Sequence, residues 1–141
     1  MESGHGVTVK ADCLVDDVII EKGDIVVFPG GLGGVATIRK SEKALSLMTE
    51  AYNAGNYVAA ICAGPTILGD LGILKGKKAV CYPGMEDGMI GAEKCPGVNV
   101  VVDGTVITGR AAGAAYDFGL KLLEIVKDRE TAEKVKNSIY Y

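Results

Sequence analysis

The sequence alternates short runs of apolar, β-branched residues with glycine-rich turns and amphipathic stretches. Residues 24–28 (DIVVF) and 57–61 (YVAAI) are typical of buried strands, and each is followed at once by a turn containing glycine and proline. Between them, residues 41–52 carry apolar side chains at helical spacing, with Ser41 as the predicted N-cap and Gly55 as the stop. Strand, helix and strand in this order form the βαβ unit of a parallel sheet, so the pattern predicts an α/β fold.

The rest of the chain continues the same alternation. An Asp103-Gly104 pair between two β-branched runs is a strong hairpin-turn signal, and the last third is helical in its periodicity. The further predicted elements are a short helix from about Pro65 to Leu71, strands at 79–82, 98–103 and 105–109, and helices at 111–126 and 130–139.

Length and charge exclude several classes of protein. A chain of 141 residues has room for a single domain, which we expect to span residues 1–141. The 18 acidic residues outnumber the 15 basic ones and no stretch collects basic side chains, so we expect no nucleic-acid partner. There is no apolar run of signal-peptide or membrane-spanning length, so we expect a cytoplasmic protein with no membrane partner. In that compartment the four cysteines are expected to be free thiols.

Two kinds of bound group are considered and not predicted. Residues 31–36 (GLGGVA) fit the G-x-G-x-x-A dinucleotide fingerprint, but the next strand ends in Cys62 where the fingerprint wants an acidic residue. A metal site could draw on Cys81, Cys95 and the only histidine, His5, but these residues are scattered singly and there is no C-x-x-C pair. We therefore expect the two cysteines to be small buried apolar residues and not metal ligands. We expect neither a cofactor nor a metal.

Cys62 has the most informative context of the four cysteines. It lies between a buried strand and a helix opened by Gly64 and Pro65, where unpaired backbone N–H groups and the positive helix end favour a thiolate. Such a strand–turn–helix elbow also holds a nucleophile up for attack. The Gly30-Gly31 turn emerges at the same edge of a parallel sheet, where a glycine N–H can face an oxyanion.

These residues resemble the ThiJ/PfpI family, and within it the Parkinson-associated deglycase-like branch and its bacterial relatives. The likeness rests on residues 60–65 (AICAGP), 28–31 (FPGG), the run 102–110 and Phe118-Gly119-Leu120. It implies a flavodoxin-like three-layer sandwich with a mostly parallel sheet, as in class I glutamine amidotransferases, and usually a homodimer.

The resemblance also assigns roles to particular residues. It implies Cys62 as the nucleophile and the backbone N–H groups of Gly31 and Ala63 as the oxyanion site. The peptidase branch of the family has histidine directly after the nucleophile, where this chain has Ala63, so a peptidase is disfavoured.

The sequence departs from the family pattern in two places. Family members begin with a strand, a helix and another strand, and a glutamate in the first turn binds the cysteine; this sequence starts after that unit, near residues 3–6. We therefore expect an N-terminally truncated domain that self-associates through its open sheet edge. The second departure is at Tyr82-Pro83, where several members have His-Pro. A tyrosine is a poor base near neutral pH. We therefore expect water, or an acidic side chain such as Glu86 or Asp87, to transfer the proton.

The resemblance implies a cysteine-dependent enzyme of the deglycase or glyoxalase kind. Its substrates would be small reactive carbonyls such as methylglyoxal, or their early adducts, attacked by Cys62 to form a hemithioacetal. The alternative is a non-catalytic oxidative-stress sensor or holdase chaperone with an oxidisable Cys62. A third interpretation is an incomplete domain without activity, and with the family glutamate and histidine missing we expect turnover to be low.

Overall fold

The computed structural model describes residues 6–141, and its central feature is a four-stranded sheet. The strands are β1 Ile25–Phe28, β2 Tyr57–Ile61, β3 Lys78–Ala79, β4 Glu93–Lys94, β5 Val100–Asp103 and β6 Val106–Gly109. The helices are α1 Leu32–Ile38, α2 Glu42–Asn53, α3 Pro65–Asp70, α4 Ala115–Val126 and α5 Arg129–Ser138, with short 3-10 turns at Val15–Asp17, Glu86–Gly88 and Ala112–Ala114.

The central sheet has the order β1-β2-β6-β5 and is mostly parallel. Strand β2 pairs in parallel with both β1 and β6, whereas β5 and β6 form an antiparallel hairpin. Helix α2 connects the parallel strands β1 and β2, which confirms the predicted βαβ unit. The Asp103-Gly104 hairpin is also confirmed, with Gly104 at φ 61°, where glycine is favoured.

The side chains of alternate strand residues build two separate cores. Val58 and Ala60 of β2 lie in the larger core with Met48 of α2, whereas Ala59 lies in the smaller core on the opposite face with Phe118 of α4. Because successive strand residues point to opposite faces, helices cover both sides of one sheet. The protein is therefore an α/β sandwich of three layers, as the resemblance implied.

Local capping explains where α2 begins and ends. The Ser41 hydroxyl oxygen accepts a hydrogen bond from the backbone N–H of Ala44 at 3.2 Å, which satisfies a donor that the first helical turn leaves free. Gly55 follows the helix at φ 80°, a conformation in which glycine ends helices at little strain. Both predicted boundaries are confirmed.

Several elements differ from the sequence prediction: β4 was not predicted, and α4 begins at Ala115, four residues after the predicted start. The strand predicted at 79–82 is limited to β3, which pairs in parallel with β4 in a separate two-stranded sheet. Beyond β3, the Val80 N–H donates to the buried Thr108 hydroxyl at 3.0 Å, so a side chain takes the place of a strand partner. Helix α1 was not predicted because its glycines are poor helix formers, yet Val35 is only 2% exposed and anchors it to the core.

The described helices were compared with the length and hydropathy of a membrane-spanning helix. Within residues 6–141, none combines the length and the apolar character that crossing a bilayer requires.

The hydrogen bond from Val80 to Thr108 predicts a selective loss of stability. Thr108→Val keeps the side-chain shape but leaves the buried Val80 N–H without an acceptor, so the free energy of unfolding should fall by about 1–3 kcal/mol. Thr105→Val is the matched control, because its half-buried hydroxyl makes no hydrogen bond to the described residues; it should change stability by less than about 0.5 kcal/mol. Urea unfolding measures both, and equal losses would contradict the role given to Thr108.

Candidate active site

Cys62 lies in a strained turn at the end of β2. Its φ of 64° is in the left-handed region, which costs a residue other than glycine about 1–3 kcal/mol and persists only where the surroundings enforce it. Two hydrogen bonds enforce it here: the Cys62 N–H donates to the Gly109 carbonyl at 2.9 Å, and its carbonyl accepts from the Tyr82 N–H at 2.8 Å. The elbow predicted from the sequence is thus held from both neighbouring segments.

Two glycines let the chain pack against this turn. A Cβ added at Gly30 would lie 2.5 Å from the Cys62 Cβ and 3.1 Å from its Sγ. A Cβ added at Gly64 would lie 2.7 Å from the Phe28 carbonyl oxygen. The distances of 2.5 Å and 2.7 Å are shorter than any real Cβ contact. The elbow therefore requires glycine at Gly30 of the P-G-G motif and at Gly64 of the C-A-G-P motif.

The four residues predicted for the site line one cavity of about 490 Å³. Its walls come from the turn after β1, the elbow after β2 and the segment that follows β3. The lining residues are Gly31, Leu32, Cys62, Ala63, Tyr82, Pro83, Gly84 and Met85. Sequence reasoning missed Leu32 and the three residues after Tyr82; the Pro83-Gly84 turn signal next to Tyr82 pointed to a loop there without saying what it faces.

Two turn residues that line this cavity have backbone N–H groups without a hydrogen-bond partner among residues 6–141. The N–H groups of Gly31 and Ala63 donate no hydrogen bond within residues 6–141, whereas the next one, at Gly64, is taken by the Ile61 carbonyl at 3.0 Å. Unpaired N–H groups beside a thiol are suited to an oxygen that gains negative charge. Their role as an oxyanion site stays a prediction, and the geometry is compatible with it.

The other three thiols have different surroundings. Cys81 is buried, and its Sγ donates to the Tyr82 carbonyl at 3.4 Å. Burial, together with the negative charges of Glu86 and a Cys62 thiolate, raises the pKa of Cys81 to about 11. Of the two cysteines expected to be small apolar thiols, Cys81 is buried and Cys95 is half-buried. Cys62 is half-buried, and Cys13 is exposed in a segment that forms no strand.

The acidic side chains suggested for proton transfer do not line the Cys62 cavity. Glu86 lines a neighbouring cavity of about 160 Å³, and its Oε2 accepts a hydrogen bond from the Gly84 N–H at 2.8 Å. Asp87 is 2.7 Å from the Lys94 ammonium, and this hydrogen bond and charge lower the pKa of its carboxyl. Among the described residues that line the cavity, Tyr82 is therefore the one titratable side chain besides Cys62.

The structure also places the residues considered for a metal or a dinucleotide. No three His, Cys, Asp or Glu residues within the described part of the chain are grouped to hold a metal ion, and His5 lies outside that part. Cys81 and Cys95 line the same small cavity as Glu86. Gly33 and Gly34 of the fingerprint lie within α1, where an added Cβ would meet no atom within 4 Å. The close backbone approach in this turn is at Gly30.

Known proteins resemble this chain over most of its length. The Drosophila melanogaster protein dj-1beta is 34% identical over 140 residues, covering 99% of this chain and 75% of that protein. Deglycase PH1704 of Pyrococcus horikoshii is 37% identical over 124 residues, covering 87% of this chain and 74% of that protein. Among solved structures, oxidized Toxoplasma gondii DJ-1 matches with a TM-score of 0.89 and 34% identity, over 97% of this chain and 74% of that one.

The family assignment follows from these likenesses together with the fold and the cysteine elbow. A sequence profile described as the DJ-1/PfpI family matches residues 1–125, which include every residue of the cavity around Cys62. The chain belongs to the DJ-1/PfpI family, which confirms the resemblance to ThiJ/PfpI proteins.

Proposed function

We propose that this chain is a cysteine-dependent enzyme of the deglycase or glyoxalase kind, acting on small reactive carbonyls such as methylglyoxal or on their early adducts. The observation that carries the proposal is the Cys62 elbow, which shares a cavity with two unpaired backbone N–H groups. The name deglycase carried by the Pyrococcus horikoshii relative supports the same class of chemistry.

The proposed reaction starts with addition of Cys62 to the carbonyl carbon. A C–S bond forms, the π electrons of the C=O bond move to oxygen, and the alkoxide accepts hydrogen bonds from Gly31 and Ala63. The thiol proton ends on that oxygen, so the product is a hemithioacetal and no atom is lost. A donor of this kind is worth about 3–4 kcal/mol in enzymes that stabilise an oxyanion with backbone and amide groups.

The described side chains that line the cavity supply no efficient base for proton transfer. Tyr82 is 48% exposed and can donate a hydrogen bond, but a tyrosine is a poor base near neutral pH. Glu86 and Asp87 are turned to other partners. Water therefore carries the proton between sulfur and oxygen, and we expect a low turnover rate.

The rival function is an oxidative-stress sensor or holdase chaperone. It needs only an accessible Cys62 that forms a sulfinic acid, and the half-buried position of the thiol is compatible with this. The N–H groups of Gly31 and Ala63 would also bind the oxygens of a sulfinate, so the site geometry serves both functions. The name deglycase carried by the Pyrococcus horikoshii relative is what favours carbonyl addition. Turnover of a dicarbonyl separates the two functions.

Self-association is also part of the proposal. Strand β1 is an edge of the four-stranded sheet, and Val27 on it is 40% exposed. A strand edge with unpaired backbone groups and an apolar side chain favours contact with another chain, so we propose a homodimer or a higher assembly.

The four thiols should differ in reactivity. Limiting iodoacetamide at neutral pH should label Cys62 first, because its turn presents the sulfur to an open cavity beside free N–H groups. Cys81 should be labelled last, since it is buried and its pKa of about 11 keeps it protonated. Peptide mapping of the alkylated sites measures the order, and faster labelling of Cys13 or Cys95 would contradict it.

Gly30 should be indispensable to the geometry of the nucleophile. Gly30→Ala forces the Cys62 side chain to move, so Cys62 alkylation should slow at least about tenfold and stability should fall by about 1–3 kcal/mol. Gly34→Ala is the matched control, because its added Cβ meets no atom within 4 Å and alanine favours the helix. Alkylation rates and thermal melts compare the two variants, and equal behaviour would disprove the close contact.

Activity should depend unequally on the two side chains of the cavity. Cys62→Ser should abolish methylglyoxal consumption, because no hemithioacetal forms without the sulfur. Tyr82→Phe should reduce kcat/KM by about tenfold or less, the value of one hydrogen bond of about 0.5–1.5 kcal/mol. Dicarbonyl loss is measured in buffers free of amines and thiols, and equal loss by wild type and Cys62→Ser would remove the enzyme hypothesis.

A further inference from the structure

A second cavity adjoins the one that contains Cys62. Its volume is about 350 Å³. Its lining includes Asn99 and Arg110 together with Tyr82 and Pro83, which also line the Cys62 cavity. The two cavities therefore share a wall. Arg110 therefore lines a cavity whose wall, at Tyr82 and Pro83, also belongs to the Cys62 cavity.

The backbone of Arg110 is hydrogen-bonded, but its side chain has no partner among the residues that the structure describes. Its N–H donates to the Asn99 carbonyl at 2.9 Å, directly after β6. The half-buried guanidinium makes no ion pair and no hydrogen bond with any residue among 6–141. Arg39 shows the contrast, because its guanidinium binds Asp70 at 2.8 Å and Thr66 at 2.9 Å.

The carboxylates near Arg110 are occupied elsewhere. Glu86 lines the small cavity on the far side of Arg110 but is not within 4.0 Å of it, and one of its oxygens accepts the Gly84 N–H. Asp117 accepts a hydrogen bond from the Asn99 side-chain amide at 2.7 Å. The described residues thus leave the guanidinium donors to solvent or to a ligand.

We propose that Arg110 is a specificity-determining residue that binds the carboxylate of the substrate. The guanidinium presents a planar set of donors that matches a carboxylate in two parallel hydrogen bonds. The preferred substrates are then carbonyl compounds that carry a carboxylate, of which glyoxylate is the simplest aldehyde, and not neutral dicarbonyls. This inference rests on the proposed function, because it names the substrate class of the same site; the carboxylate takes no part in bond formation at Cys62.

Alkylation of Cys62 tests the anion site without any turnover. Iodoacetate and iodoacetamide react with a thiol in the same way but differ in charge, so the ratio of their rates at Cys62 reports an anion-binding group nearby. We expect Arg110→Gln to lower the iodoacetate-to-iodoacetamide ratio at least about fivefold and Arg110→Lys to lower it less, since lysine keeps the charge and loses the planar donors. Arg129→Gln, an exposed arginine on α5, is the charge-matched control and should leave the ratio unchanged.

The iodoacetamide rate serves as an internal reference for the fold. A variant that unfolds alters both rates, whereas loss of the anion site alters the ratio alone. In the wild-type protein, the ratio should also fall as salt is raised, because the attraction is electrostatic. A ratio that is the same in wild type and Arg110→Gln, or that does not respond to salt, would overturn the proposal.

Turnover separates this inference from the proposed function. For Arg110→Gln, kcat/KM should fall about tenfold for glyoxylate and less than about twofold for methylglyoxal. Equal losses for both substrates would overturn the role of Arg110 and leave the enzyme function standing. A charge-dependent alkylation ratio without turnover of either carbonyl would support the anion site and remove the proposed function.

Discussion

The left-handed backbone of Cys62 is the constraint on which the rest of the site depends. Hydrogen bonds from the Cys62 N–H to Gly109 and from the Tyr82 N–H to the Cys62 carbonyl hold it between β6 and the segment after β3. Each is worth about 0.5–1.5 kcal/mol, enough together to offset a strain of about 1–3 kcal/mol. Gly30 and Gly64 then let two further stretches of backbone close around the turn.

In the proposed reaction, this arrangement makes the stabilisation of the oxyanion depend on backbone groups. The unpaired N–H groups of Gly31 and Ala63 are set by the conformation of two turns and not by side chains. A backbone donor needs no rotamer to be ordered, so such a site is ready before a substrate arrives. Backbone groups cannot act as a base, and among the described residues that line the cavity, Tyr82 is the one titratable side chain besides Cys62.

Neighbouring side chains of the same type behave differently because their surroundings differ. Cys81 is buried next to Glu86 and stays protonated, since its pKa is raised to about 11, whereas Cys62 opens into a cavity. The Arg39 guanidinium binds Asp70 and Thr66, whereas the Arg110 guanidinium has no partner within residues 6–141. The chemistry of this edge of the sheet therefore depends on contacts more than on composition.

The sequence by itself determined the elements whose causes are local. The βαβ order, the Ser41 cap, the Asp103-Gly104 turn and the cysteine elbow follow from periodicity, capping and turn residues within a few positions, and the motifs around Cys62 were specific enough to indicate the family. Burial, not local propensity, decided the position of α1. Contacts between residues far apart in sequence decided two further features: Thr108 accepts the Val80 N–H and so ends the strand predicted at 79–82, and the Arg110 side chain is left without a partner among residues 6–141. Local pattern cannot encode these outcomes, because each depends on which distant groups the folded chain brings within hydrogen-bond or packing distance.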